Sequence, residues 1–498
     1  LSILEQDIKQ RAIKGGFWVF TLRIADQTLA LIRLVILARL LSPNDFGLMG
    51  IAVVTMGTVD TFSQTGFEIA LIQRKRDTER YLDTAWTVGI LRSVAIFATL
   101  YLIAPLASRF FNSPGSLNLI RAIGAALLFR GFANIGAVYF RKELEFNKQF
   151  IYIFSGRVAD FTVAVAAAFT LRNAWVLVLA FLASDAVKLV VSYIMHPYRP
   201  RLRLDRAEAA ELFGFGKWIL GSGVITFLLM QGDKAFVGRF VGSTMLGFYQ
   251  IAYRISNLPA TEIAHVISRV TVPAYSKVQD SVARLREGYL KVVQVTAFAS
   301  VPIAGVVFFL AHDITTVLLG EKWLPAVTAM RALALWGAIR SLTSTTEPVF
   351  VSVGKPRLLT KYMFLQISLL AALIYPFSNR WGILGTSVAV AAAGLISSWF
   401  FFNGARVITE CRSRRLASLI LVPVAAAAVG GIPALALRPV RPLAGLVAID
   451  LVLVVAIYAL TYLAATWLLG KLVGYDVRPV VREIIQALKI RKPPDRFK

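Results

Sequence analysis

The sequence predicts an all-α polytopic membrane protein with about fourteen transmembrane helices, and three observations predict it. The chain has 498 residues, 57% hydrophobic and only 16% charged, where a soluble domain carries roughly a quarter charged residues. The apolar residues lie in long runs. "LILVPVAAAAVGGIPALAL" and "LAGLVAIDLVLVVAIYALTYLAATWLLG" each hold the roughly 20 residues that cross a bilayer as helix, not the 10 alternating ones of a barrel strand. Finally, the segments between runs alternate between rich and poor in Lys and Arg. No segment between runs is long enough for a separate globular domain.

In chain order the spans begin near Phe17, Phe46, Thr84, Leu117, Gln149, Ala174, Phe215, Leu246, Tyr289, Ala326, Leu358, Trp381, Leu416 and Leu443. The segment before the first, "LSILEQDIKQRAIKGG", is amphipathic and basic. It lacks the apolar core and cleavage site of a signal peptide, so the first span is expected to serve as the insertion signal. With a single cysteine, Cys411, no internal disulfide can form.

Lys and Arg collect in short cytoplasmic loops. "QRKRDTER", "RKELEFNK", "YRPRLRLDR", "KVQDSVARLRE", "GKPRLLTK" and "RVITECRSRR" fall on every second loop and hold, with the termini, most of the 54 basic residues. Both termini are therefore expected in the cytoplasm. The net charge of +26 reads chiefly as this orientation signal, and no nucleic-acid motif accompanies it. After Gly474, a stripe of Val477, Val480, Val481, Ile484, Ile485 and Leu488 is flanked by Arg482, Lys489, Arg491, Lys492 and Arg496. Such a tail is expected to lie as a helix on the anionic inner leaflet.

The chain also repeats itself. "ARLLSPNDFGLMGIA" from Ala38 and "GRFVGSTMLGFYQIA" from Gly238 align Arg39 with Arg239, Gly47 with Gly247 and Ile51-Ala52 with Ile251-Ala252, an offset of 200 residues that also aligns Gly16 with Gly216 and Trp18 with Trp218. Both copies fall at the turn from an odd span into an even one. Two six-span copies would share one orientation, as in a parallel repeat. The expected organisation is an N-terminal six-helix bundle over 1–200, a second over 201–410, two additional helices over 411–470 and a basic tail over 471–498. Asn44 or Asp45, and Ser243 or Thr244, are expected to cap the helices after the turns, with Pro43 ending the first span. Arg39 and Arg239 can reach the last carbonyls of their helices and the outer headgroups.

With "VSVGKPRLL" after the tenth span, these segments resemble the polysaccharide-transporter branch of the multidrug/oligosaccharidyl-lipid/polysaccharide exporter superfamily, over the whole chain. Within it the chain is most similar to flippases for exopolysaccharide, colanic-acid-type and O-antigen repeat units. The resemblance implies movement of a polyprenyl-pyrophosphate-linked oligosaccharide across the bacterial inner membrane by alternating access, with a site at the repeat interface. It also implies coupling to H+ or Na+, no cofactor, and membrane lipids and polysaccharide polymerase or export machinery as further partners.

Charges inside spans cost about 2.5–3.5 kcal/mol each on insertion scales and normally face a bundle interior or a wet cavity. Span one carries Arg23, Asp26 and Arg33 on one face at 100° per residue. Span two carries Asp60, Gln64 and Glu68 at i, i+4, i+8. Gln231, Asp233 and Lys234, then Arg254, Asn257 and Glu262, then Arg340, Thr343, Ser344 and Glu347 mark spans seven, eight and ten. A pyrophosphate needs cations to leave water, and the Arg fork fits its oxygens. The expected headgroup ligands are Arg23, Arg33, Arg254, Lys234 and Arg340. The expected ion-coupling or Arg-positioning acids are Asp26, Asp60, Glu68, Asp233, Glu262 and Glu347. The competing reading is that these charges form interhelical ion pairs that only hold the bundle together. Arg157 with Asp160, and Asp185 with Lys188, are expected to neutralise each other at i, i+3. Arg92, Arg121 and Arg269 are expected to snorkel or brace their own bundle, and His265 is either a proton carrier or a satisfied buried histidine.

There is no phosphate-binding loop, dinucleotide fingerprint, metal-ligand spacing or nucleophile elbow. Polysaccharide polymerases and ligases resemble proteins with a large outer catalytic loop, and the outer loops here are short, so an enzyme is disfavoured. A multidrug/cation antiporter of the same superfamily would favour acids over this surplus of basic side chains. A lipid II flippase would differ only in the headgroup it carries.

Overall fold

The computed structural model describes residues 3–64, 66–73, 78–258, 271–272, 274–437 and 447–476, and these contain helices and no strand. The chain divides into two compact units, Leu1–Gln250 and Ile251–Lys498.

The first unit holds α1 (Ile3–Leu40), α2 (Pro43–Phe62), α3 (Phe67–Gln73), α4 (Thr78–Phe110), α5 (Leu117–Phe132), α6 (Val138–Lys142), α7 (Phe146–Thr170), α8 (Trp175–Met195), α9 (Arg206–Phe240) and the first turns of α10 (Ser243–Ser256). Within it α4 packs on α5, α7 on α8, α1 along α7, and α9 on α2, α3 and α4. The second unit continues with α11 (Val282–Phe309), α12 (Ala326–Ser352), α13 (Pro356–Thr409), α14 (Ser413–Ala436) and α15 (Val447–Val473). Here α12 packs against both α11 and α13, and α14 joins α15 to α11.

Among the described residues, eight helices are long and apolar enough to cross a membrane, or nine if Pro114–Phe132 and Ile135–Lys142, bent by 76°, count as one broken span. The 54-residue α13 is really two arms. Gly382 interrupts it with φ 56° and ψ −132°, a backbone that an L side chain rarely adopts. The chain folds back there: Tyr362 of the first arm meets Phe401 of the second with rings 5.1 Å apart, and Ser378 Oγ lies 2.7 Å from Thr386 Oγ1. The arms match the spans expected from Leu358 and Trp381.

Helix starts follow capping chemistry. Ser42, not Asn44 or Asp45, is the N-cap of α2: its hydroxyl accepts from the Asp45 N–H while the Ser42 N–H donates to the Asp45 carboxylate at 2.9 Å. The capping-box spacing, with Pro43 at a first-turn position that needs no N–H, makes Ser42 the better cap. In the second copy the Ser243 hydroxyl is turned to Asn44 instead.

The connector from α8 to α9 is stitched to the first turns of α4. Tyr198 donates its hydroxyl to Asp83, and the Arg201 and Arg203 N–H groups donate to Asp83 and Thr87 at 2.8 and 3.0 Å. Glu208, 2% exposed, accepts from Thr84 Oγ1 at 2.6 Å and Arg80 Nε at 2.9 Å. Asp205 caps α9, accepting from the Ala207 and Glu208 N–H groups at 2.9 and 3.2 Å. The Glu208 and Ala207 donors hold this carboxyl below the usual carboxylate range. A depressed folded-state pKa gives stability that is present above the unfolded value and lost as pH falls through the folded one. Hydrogen exchange at Ala207 and Glu208, corrected for intrinsic rates, should therefore accelerate in acid. In Asp205→Asn the corrected rates should no longer vary with pH. Equal acid sensitivity in both proteins would show that the cap carries no such linkage.

The amphipathic tail expected after Gly474 falls at 477–498, outside the described residues.

Candidate functional site

The charges of α1 and α7 interlock. Arg33 Nε lies 2.7 Å from Asp160 Oδ2, with side chains 18% and 12% exposed. Arg157 pairs with Asp26, at 48% and 24% exposure. The expected i, i+3 pairing of Arg157 with Asp160 is thus replaced by two pairings across to α1. The two helices contribute Asp then Arg, and Arg then Asp, in the same chain order, so helices running side by side in one direction match cation to acid twice. Reaching a partner helix lets both pairs form. An internal pair would have left Asp26 and Arg33 buried without their counter-charges, which costs several kcal/mol. Asp26 and Arg33 do share a face, and that face is applied to α7. Arg23, one turn earlier, is part-buried.

The stripe expected from Asp60 to Glu68 is not one helix face. The α-helix ends at Phe62, Gly66 takes φ 69°, and Glu68 falls in the separate α3, its side chain outside the described part. The break is held by Arg92 of α4, which was expected to snorkel or brace its own bundle and does the second. Its Nε donates to the Ser63 carbonyl at 2.7 Å, and Nη2 donates to the Asp60 carbonyl at 2.8 Å and to the Asp60 carboxylate. A guanidinium on the last carbonyls of a helix answers both the freed acceptors and the helix dipole. Asp185 does reach Lys188 at 3.2 Å, and also takes Arg130 Nε at 2.8 Å.

In α9, Asp233 is buried and accepts the Tyr249 hydroxyl at 2.7 Å. Lys234 bends back to the Met230 carbonyl, with its Nζ 3.9 Å from Asp233. In the second unit Arg340 donates to Tyr253 Oη at 3.0 Å and Asn257 Oδ1 at 3.2 Å, while Arg254 is exposed. Further along α12, Ser341 donates to Ser300 at 2.7 Å and Thr343 Oγ1 lies 2.7 Å from Ser398 Oγ. Glu347 closes this stripe. Glu262, His265 and Arg269 lie outside the described residues.

The repeated segments meet each other. A Cβ added to Gly47 would fall on the Ser243 carbonyl oxygen, and one added to Gly247 on the Pro43 carbonyl oxygen. One added to Gly50 would run into the Gln250 amide. Asn44 Oδ1 accepts from Ser243 Oγ at 2.7 Å. Position 43 meets 247 and 243 meets 47, the reciprocal pattern that a two-fold between like surfaces gives. The chain therefore says nearly the same thing twice because each copy is the other's partner. Only glycine lets the two backbones approach this closely. Arg239 lies over the ring of Phe110 at 5.2 Å and that of Phe240, the last residue of its own helix, at 5.8 Å.

A model of the polysaccharide biosynthesis protein family matches residues 36–328. The chain belongs to this family. It is 24% identical over 393 residues to the lipopolysaccharide biosynthesis protein WzxC of Escherichia coli (strain K12), covering 78% of this chain and 80% of that one. It is 30% identical over 296 residues to the teichuronic acid biosynthesis protein TuaB of Bacillus subtilis (strain 168), covering 58% and 60%. The succinoglycan biosynthesis transport protein ExoT of Rhizobium meliloti (strain 1021) is 22% identical over 322 residues, covering 64% and 65%. Among solved structures, the lipid II flippase MurJ in an inward closed conformation superposes with a TM-score of 0.72 at 15% identity, over 92% of this chain and 99% of that one. An inward-facing multidrug resistance transporter of the MATE family gives 0.59 at 15% identity, over 79% and 95%. These identities speak for a shared fold. This member of the family is a helical multi-pass membrane protein that shares the fold of the flippase and transporter structures it superposes on.

Proposed function

We propose that this chain is a flippase that moves a polyprenyl-pyrophosphate-linked oligosaccharide repeat unit across the bacterial cytoplasmic membrane by alternating access, with both termini in the cytoplasm and the cycle driven by an ion gradient. Family membership carries the reading, and the fourteen-span, two-bundle organisation with its basic inner loops belongs to it. The polar side chains within α1, α9, α10 and α12 supply chemistry suited to such a cargo. Because Arg33 is held by Asp160, headgroup binding is assigned to Arg23, Lys234, Arg254 and Arg340, with Arg33 in a positioning role. Arg340 donates to the neutral oxygens of Tyr253 and Asn257, and its guanidinium fork suits the oxygens of a diphosphate. Asp26 and Asp60 position Arg157 and Arg92.

Native mass spectrometry of the protein purified in mild detergent tests this. Wild type should retain a polyprenyl-diphosphate glycan, and Arg23→Gln/Arg340→Gln should retain at least about tenfold less, the loss of roughly 1.4 kcal/mol of binding. Uptake of hydrophobic cations with no glycan lipid bound, even when it is supplied, would favour a drug antiporter. Preferential retention of lipid II would change the headgroup and keep the mechanism.

A further inference from the structure

Glu347 differs from the other intramembrane acids whose side chains are described on the central turns of helices. Asp26 and Asp160 each hold an arginine of the facing helix. Asp60 and Asp185 do the same with Arg92 and Arg130, and Asp233 takes the Tyr249 hydroxyl. Among the described residues Glu347 makes no hydrogen bond and no ion pair. Its neighbours Thr345, Thr346, Val349 and Phe350 are all fully buried, while Glu347 keeps part of its surface accessible.

The described surroundings place no counter-ion on it. Arg340, two turns away on the same helix, is the charge whose field reaches it, and that guanidinium bonds to Tyr253 and Asn257. Lys291 of α11 and Lys361 of α13 lie on the two helices packed against α12, close in sequence to Tyr289 and Tyr362, which reach Thr346 and Phe350. The titratable group facing this turn from α11 is Tyr289, whose hydroxyl lies 3.4 Å from Thr346 Oγ1. An unpaired carboxylate in a low-dielectric bundle costs several kcal/mol, and taking up a proton removes that cost. A sodium ion would need several converging oxygens, which transporters commonly draw from unwound helices. Here α12 is continuous helix from Ala326 to Ser352, with Pro348 removing one N–H from its ladder, and the hydroxyls of Thr343 and Thr346 donate to carbonyls of their own helix.

We propose that Glu347 is a proton-binding group of the transport cycle, neutral while α12 is enclosed and ionised when its surroundings open to water. The proton leaves water for the carboxylate and returns to water, and no other bond changes. This rests on the flippase reading above, and the experiment separates the two.

Full-length protein is reconstituted in proteoliposomes with a synthetic polyprenyl-diphosphate disaccharide and a gradient of either pH or sodium. For wild type, one pH unit should change accumulation about tenfold per proton carried, and a sodium gradient should do nothing. Glu347→Gln should lose the pH response and Glu347→Asp should keep part of it. A Glu347→Gln protein that responds like wild type, or a wild type driven by sodium, overturns the proposal. If wild type does not bind the disaccharide lipid, the flippase reading fails. Infrared titration of the substrate-free protein then decides: a protonated carboxyl band that titrates in wild type and vanishes in Glu347→Gln sustains the proton site, and a band unchanged by the substitution refutes it.

Discussion

Replacing Gly47 by alanine should part the crossing of α2 and α10 and cut transport by roughly ten- to a hundredfold. The added methyl would occupy the place of the Ser243 carbonyl oxygen, and a backbone oxygen cannot rotate aside as a side chain can. Overpacking of this kind costs about 1–3 kcal/mol, and each 1.4 kcal/mol is tenfold in an equilibrium. The same logic applies to Gly247 and the Pro43 carbonyl. Gly232→Ala serves as the control, because a Cβ there meets nothing within 4 Å. The readout is disulfide formation between Asn44→Cys and Ser243→Cys in a background without Cys411. The two side chains touch in this structure, so cross-linking should be efficient with glycine at 47 and should fall sharply with alanine. Equal cross-linking would mean that the crossing tolerates a wider separation than its geometry implies.

The second large effect is expected at Asp160. Asp160→Leu should destabilise the protein by about 3–5 kcal/mol, the cost of leaving a buried partner charge uncompensated, because Arg33 is only 18% exposed. Removing both members, in Asp160→Leu/Arg33→Leu, should recover most of that loss, since two well-packed apolar groups in place of a buried pair are often neutral or better. Asp26→Leu should cost less, because its partner Arg157 is 48% exposed and can reach water. Denaturation in detergent of the two singles and the double gives the coupling energy directly. A loss below about 1 kcal/mol for Asp160→Leu would place the pair with weak surface ion pairs and return Arg33 to the headgroup candidates.

Much of the fold was legible because bilayer physics is strict. Only a helix can satisfy its own backbone in hydrocarbon, so apolar run length gives helices. Even the reversal within α13 was visible, as two spans meeting near Trp381. The candidate site was legible as a set of residue types, not as partners. Asp26 and Arg33 could be placed on one face by periodicity, but periodicity names no neighbour. Arg157 and Asp160 were read as a pair within their own helix because sequence distance is the only distance a sequence contains. The complementary order of charges on the two helices was the available signal. The end of α2 at Phe62 was missed because a helical stripe through Asp60, Gln64 and Glu68 suits an unbroken helix equally well, and the arginine that holds the break lies thirty residues on.

The sequence by itself determined that this protein is a helical membrane protein and that one segment occurs twice, since hydropathy, charge placement and internal repetition are properties of the chain alone. Only the tertiary structure decided which charges are matched across helices and, among the described residues, that Glu347 in the middle of its bundle is not. It also showed that the repeated segments close against each other. Matching of this kind depends on where helix faces meet, and at close approach a single Cβ or a single carboxylate decides the energy.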